Sequence, residues 1–64
     1  MPLVHVEMFS GRTHQQKADM AQAITDVITN IAQISPDTVT VIFTDVPREH
    51  WAHAGKLASE QSKV

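Results

Sequence analysis

A minimal α/β fold, a single βαβ unit with parallel strands, is predicted by three features of this 64-residue chain. A stretch of period-two alternation opens the sequence. A capped amphipathic segment follows it, and a second stretch rich in β-branched residues comes after a proline-marked break. Strand, helix, strand in that order requires a crossover through the helix, which makes the strands parallel and the connection right-handed. Two strands are not stable by themselves, and both carry unpaired edges and apolar residues on more than one face. The sheet is therefore expected to be completed by oligomerisation. The simplest arrangement joins the sheets of two copies with their helices on one side, leaving the other face for further dimers.

The first strand is predicted over Leu3 to Phe9. Val4, Val6 and Met8 fall on one face, and Leu3, His5, Glu7 and Phe9 on the other. Ser10-Gly11-Arg12 breaks it, since Gly11 can take the backbone angles of a turn. Thr13 reads as an N-cap with Gln16 completing a capping box. Met20, Ala21, Ile24, Val27, Ile28 and Ile31 then recur at helical spacing as one apolar stripe. The helix is expected to end near Gln33 or Ile34, because Pro36 restricts Ser35. The second strand is predicted over Thr38 to Thr44, closed by Asp45-Val46-Pro47. From Arg48 onward there is no clear period, and the segment is expected to hold a short hairpin or a turn packed on a neighbouring subunit. Residues 1–64 form one domain, with about 59–64 as a frayed tail.

The composition excludes several classes. A chain this short buries only about 60% of its unfolded surface, and small folds of this kind need disulfides, a metal or oligomerisation. Cysteine is absent, which removes disulfides and thiolate metal sites and leaves oligomerisation. A net charge of -2 without a basic cluster argues against nucleic acid as a partner. No apolar run of about 18 residues exists, so no membrane span is expected. The N-terminus lacks the pattern of a signal peptide, which makes the cytoplasm the expected location.

Pro2 is the first candidate for chemistry. Removal of Met1 makes it the N-terminus, and a terminal proline is a secondary amine. A free α-amino group titrates at about 7.7–8.0, and desolvation or a nearby cation lowers that value. Such a base suits proton transfer near neutrality. Taken alone, Pro2 has the plainer explanation of simply following the start codon. Arg12, at the strand-to-helix junction, has a planar fork that binds carboxylate; its plainer reading is a solvated surface arginine. Trp51, the only tryptophan, can wall an apolar pocket over Pro2 or anchor a core or interface. His50 and His53 are spaced as metal ligands only if they lie on a helix, and that segment lacks both a helical pattern and a third ligand. No metal and no cofactor are predicted, and the carboxylates show no paired arrangement.

The order and spacing of Pro2, Gly11-Arg12-Thr13, Gln16-Lys17, His50-Trp51 and Gly55-x-Leu57 resemble the small subunits of the 4-oxalocrotonate tautomerase family, the 2-hydroxymuconate tautomerases. The resemblance runs nearly the whole length. Pro-x-x-x-Val-x-Met followed by Gly-Arg-Thr-x-x-Gln-Lys is its specific part. It implies a tautomerase-like βαβ subunit assembled as a trimer of dimers, and a cofactor-free enzyme that moves a proton between the enol and keto forms of a 2-oxo acid. Pro2 matches the family's general base and acid, and Arg12 the arginine that holds a substrate carboxylate. Trp51 stands where an aromatic lines the pocket, and the backbone N–H of Phe9 matches a position that meets substrate through ordered water. Thr40 is the departure, because it fills the slot of a second arginine that polarises the 2-oxygen and pairs with the adjacent carboxylate. Loss of such a group can remove roughly 3–4 kcal/mol of transition-state stabilisation, slowing turnover ~100-fold or more. Arg48 is the nearest replacement by sequence.

The resulting expectation is an isomerase, a keto–enol tautomerase acting on a 2-hydroxy-2,4-dienoate or an aryl enolpyruvate, as a homo-oligomer. With Thr40 in place of arginine, a monocarboxylate substrate is at least as reasonable as a dicarboxylate. Two other readings stay open on sequence. One is a decarboxylase or dehalogenase of the wider superfamily that uses a protonated Pro2. The other is a non-catalytic oligomer that binds a small ligand.

Overall fold

Alternation along Leu3–Phe9 produces the first strand, β1, over the residues the period predicts. The structure is a computed structural model and describes residues 1–60 of the chain. Val4, Val6 and Met8 are half-buried, whereas Leu3, His5 and Glu7 are exposed. Phe9 departs from that alternation. It belongs to the exposed set by parity yet is half-buried, because the chain folds back after the second strand and covers its ring.

The helix α1 spans His14–Ala32. Thr13 Oγ1 accepts from the Gln16 N–H at 3.0 Å and Gln16 Oε1 accepts from the Thr13 N–H at 2.9 Å, which completes the predicted capping box. The helix stops where expected. Gln33 takes the left-handed conformation at φ 61°, ψ 47°, and its N–H donates to the Thr29 carbonyl. Met20, Ala21, Ile24 and Ile28 are half-buried, but Val27 and Ile31 of the same stripe are 56% and 80% exposed. The apolar face of α1 is wider than two strands can cover.

The second strand, β2, occupies Thr40–Val46, two residues later at each end than the predicted Thr38 to Thr44. At its start, the Ser35 side chain accepts from the Asp37 N–H while the Thr38 hydroxyl donates to the Ser35 carbonyl at 2.7 Å. These bonds fold Pro36–Thr38 into a 3-10 turn, an alternative that serine and threonine offer the backbone at the expense of a ladder. At its end, pairing with β1 continues through Val46 and stops before Pro47, which has no N–H to donate. The two strands are parallel as predicted, in register from Leu3↔Thr40 to Phe9↔Val46. Beyond the ladder, the Thr40 N–H donates to the Pro2 carbonyl and the Ser10 N–H to the Val46 carbonyl, both at 3.1 Å.

After a 3-10 turn at Arg48–His50, a short antiparallel hairpin pairs β3 (Ala52–His53) with β4 (Lys56–Leu57). Its two-residue loop has φ 53° at Ala54 and 82° at Gly55. Positive φ at both positions matches the twist of the flanking strands. A further 3-10 turn covers Ala58–Glu60. The rest of the predicted tail lies outside the described residues.

Lys17 Nζ meets Asp45 Oδ2 at 2.6 Å and ties the first turns of α1 to the end of β2. A half-exposed pair of this kind contributes at most about 1 kcal/mol, so its role is positional. No described side chain is fully buried in a single chain, and Leu3 and Ile42 stand 63% and 46% exposed on the sheet face away from α1. No described helix is long and apolar enough to cross a membrane.

Candidate active site

The groups singled out by sequence fall at the two ends of one parallel sheet. At the start of β1, Pro2 is half-buried and its carbonyl is held by the Thr40 N–H. Thr40 is therefore Pro2's direct neighbour, with an exposed side chain. Met1 projects into solvent at 96% exposure, so its loss removes no packing.

At the other end, seven residues along an extended strand and thus roughly 23 Å away, lie Phe9, Arg12, Arg48 and Trp51. The ring centroids of Phe9 and Trp51 are 4.6 Å apart, tilted by 56°. On Phe9 also rests the guanidinium of Arg48, its carbon 4.2 Å from the ring centroid, a cation–π contact. Arg48 Nη1 is enclosed without a hydrogen-bond partner. A donor left in that state costs about 1–3 kcal/mol, more when charged. Arg12 follows the Gly11 turn, where φ is 118°. It is exposed and borders a cleft of about 420 Å³ with Met8, Gln16, Asp19 and Met20. A second cleft, of about 240 Å³, is lined by Glu7, Val46, His50, Trp51 and Ala52. Pro2 lines neither of them.

One chain thus brings Phe9, Arg48 and Trp51 together at the end that also carries Arg12, and places Pro2 with Thr40 at the opposite end. Trp51 does not cover the Pro2 of its own chain, and Arg48 does not occupy the neighbourhood of its own Thr40. Any Pro2 beneath Trp51 comes from another copy. The ring of Phe9 as a platform for Arg48 was not legible in sequence, where Phe9 mattered only for its backbone N–H. Alternation put that ring on an open face, and no periodic signal marks the return of the chain after Pro47. His50 lies in a 3-10 turn and His53 in β3, so they do not share a helix face. No cluster of three or more potential metal ligands forms among the described residues.

The lone βαβ unit shares its fold with small α/β tautomerase subunits. The chain matches the structure of YwhB, a homologue of 4-oxalocrotonate tautomerase, with a TM-score of 0.91 and 30% identity over 95% of this chain and 100% of that one. A heterohexameric 4-oxalocrotonate tautomerase from Chloroflexus aurantiacus matches with a TM-score of 0.88 and 30% identity, covering 94% of this chain and 97% of that one. In sequence, a probable tautomerase of Lactococcus lactis is 39% identical over 61 residues, 95% of this chain and 100% of the relative. The family profile described as tautomerase enzyme matches residues 2–61. The chain belongs to the tautomerase family.

Proposed function

We propose that the protein is a cofactor-independent isomerase that interconverts the enol and keto forms of a 2-oxo acid, with Pro2 as general base and acid once Met1 is removed. The Pro2 nitrogen lone pair takes the proton of the substrate 2-hydroxyl. The electrons of that O–H bond form the 2-oxo group, the carbon–carbon π electrons shift along the chain, and the protonated proline delivers a proton to carbon. The enzyme ends in its starting state, and no redox partner is needed. Arg12 holds a substrate carboxylate, Trp51 walls the pocket, and the Phe9 N–H meets the substrate through water.

The observation that carries this reading is the separation of the base from the cations within one chain. A second copy running antiparallel beside the first places the Pro2 end of each against the Phe9 end of the other, in a self-complementary contact. The same association covers Ile31, Val27 and the open strand edges, which a single chain leaves in water. We therefore propose a homo-oligomer, a dimer or a trimer of dimers, whose domain extends over residues 1–64. The hexameric state of the Chloroflexus relative supports the larger assembly.

Thr40, beside Pro2, leaves that end without a cation among the described residues. A monocarboxylate 2-hydroxydienoate or aryl enolpyruvate fits this as well as a dicarboxylate does. The test is intact mass of the purified protein together with an ultraviolet assay of enol-to-keto conversion. The mass should lack Met1, and kcat/KM should rise with pH as the Pro2 amine loses its proton. A retained methionine makes the Pro2 nitrogen an amide with no usable lone pair, and turnover by such a chain would contradict the mechanism.

A further inference from the structure

We infer that Arg48 is a substrate-binding residue whose guanidinium edge takes a carboxylate attached to a planar conjugated group, with Trp51 as the wall for that group. The inference rests on the tautomerase reading for the reaction, but binding can be tested apart from it.

Arg48 opens the turn that follows Pro47, and its guanidinium lies 4.2 Å from the centre of the Phe9 ring. Trp51 braces that ring from 4.6 Å. The Arg48 contact uses the π face of Phe9 and none of the guanidinium's hydrogen bonds. No described residue partners the enclosed Nη1, so a carboxylate meets the fork through its other N–H groups, which are not enclosed. Carboxylates are near in sequence but do not pair with it: Glu49 is the next residue and Glu7 lines the adjoining cleft. The one ion pair among the described residues is Lys17–Asp45.

A fixed, planar, unneutralised cation fits a planar anion. A carboxylate accepts two parallel N–H bonds from the fork, and a guanidinium already immobilised loses little freedom on binding. A carboxylate conjugated to a flat body places that body against the aromatic wall. This is the shape of a 2-hydroxydienoate or an aryl enolpyruvate. Arg48 then supplies a cation in a pocket whose Pro2 end has only Thr40, although the two residues lie at opposite ends of any one chain.

Trp51 is the only tryptophan of the chain, so its fluorescence reports binding without turnover. The probe is trans-cinnamate, an unreactive planar monocarboxylate, with cinnamyl alcohol as its neutral counterpart. Cinnamate should quench the wild-type oligomer saturably and the alcohol only weakly. Arg48→Met, which keeps an apolar side chain on Phe9, should weaken cinnamate binding roughly tenfold or more. Arg48→Lys, which keeps the charge but loses the fork, should fall between the two. Both variants should retain the wild-type assembly mass. Unchanged cinnamate affinity in Arg48→Met overturns the inference. So does a loss in Arg48→Met that accompanies dissociation of the oligomer while intact Arg48→Lys binds like wild type, since the charge then serves a subunit interface. If the wild type converts no enol yet cinnamate binding depends on Arg48, the binding role stands and the reaction assignment falls.

Discussion

The two ends of the β1–β2 sheet differ in what they lack. The Pro2 end has a potential base, a neighbouring hydroxyl in Thr40 and, among the described residues, no cation beside it. The Phe9 end has two arginines and a tryptophan, with Glu7 and His50 lining its cleft, but not the terminal amine proposed as the base. Parallel pairing in register over Leu3–Phe9 and Thr40–Val46 holds these ends apart, so the proposed base and the arginines of one chain do not meet. On the proposed reading, association carries the chemistry as well as the stability. The proposed contact that covers Val27 and Ile31 would also join base to cation.

Removing the base has the largest expected effect. Pro2→Ala leaves a primary amine of different shape and basicity, and kcat in the ultraviolet assay should fall by about 10²–10⁴ with the assembly mass unchanged. Activity within a few-fold of wild type would move the base elsewhere. Next, Arg12→Ala acts on the far end. Losing a charge-assisted carboxylate contact should lower kcat/KM by roughly 10–100-fold, and a smaller change would return Arg12 to the solvated surface. Thr40→Arg tests the comparison from the opposite direction by adding a cation beside Pro2. It should raise kcat/KM for 2-hydroxymuconate relative to phenylenolpyruvate by about tenfold; an unchanged ratio would show that Thr40 does not face substrate. The smallest effect belongs outside both ends. Ala54 has φ 53°, where a non-glycine residue pays about 1 kcal/mol and asparagine is tolerated. Ala54→Asn should raise stability in urea by about 0.5–1 kcal/mol and leave turnover unaffected.

Local rules made much of this legible in sequence. The Thr13–Gln16 box, the helix stop at Gln33 and the alternation of β1 depend on residues within a few positions of one another. β2 shifted by two residues because the Ser35 and Thr38 hydroxyls hold a 3-10 turn where β-branched composition indicated a strand. Val27 and Ile31 belong to the apolar stripe, but periodicity says only that they are apolar, not whether one chain can cover them. At the site, Pro2, Arg12 and Trp51 were readable as chemical types. Their separation follows from the length of a seven-residue strand. The stacking of Arg48 on Phe9 was not readable, since it depends on where the chain goes after Pro47.

The central claim, that each site takes its base from one copy and its cation from another, is tested most directly by mixing two inactive variants. Pro2→Ala and Arg12→Ala are unfolded together and refolded in equal amounts, and turnover of the mixture is compared with that of each variant refolded alone. If sites are shared between copies, random assembly gives about a quarter of them an intact Pro2 and an intact Arg12, and activity returns to roughly that fraction of wild type. If mixed oligomers form by mass but show no more activity than the separate variants, base and cation come from the same chain and the shared-site account is wrong.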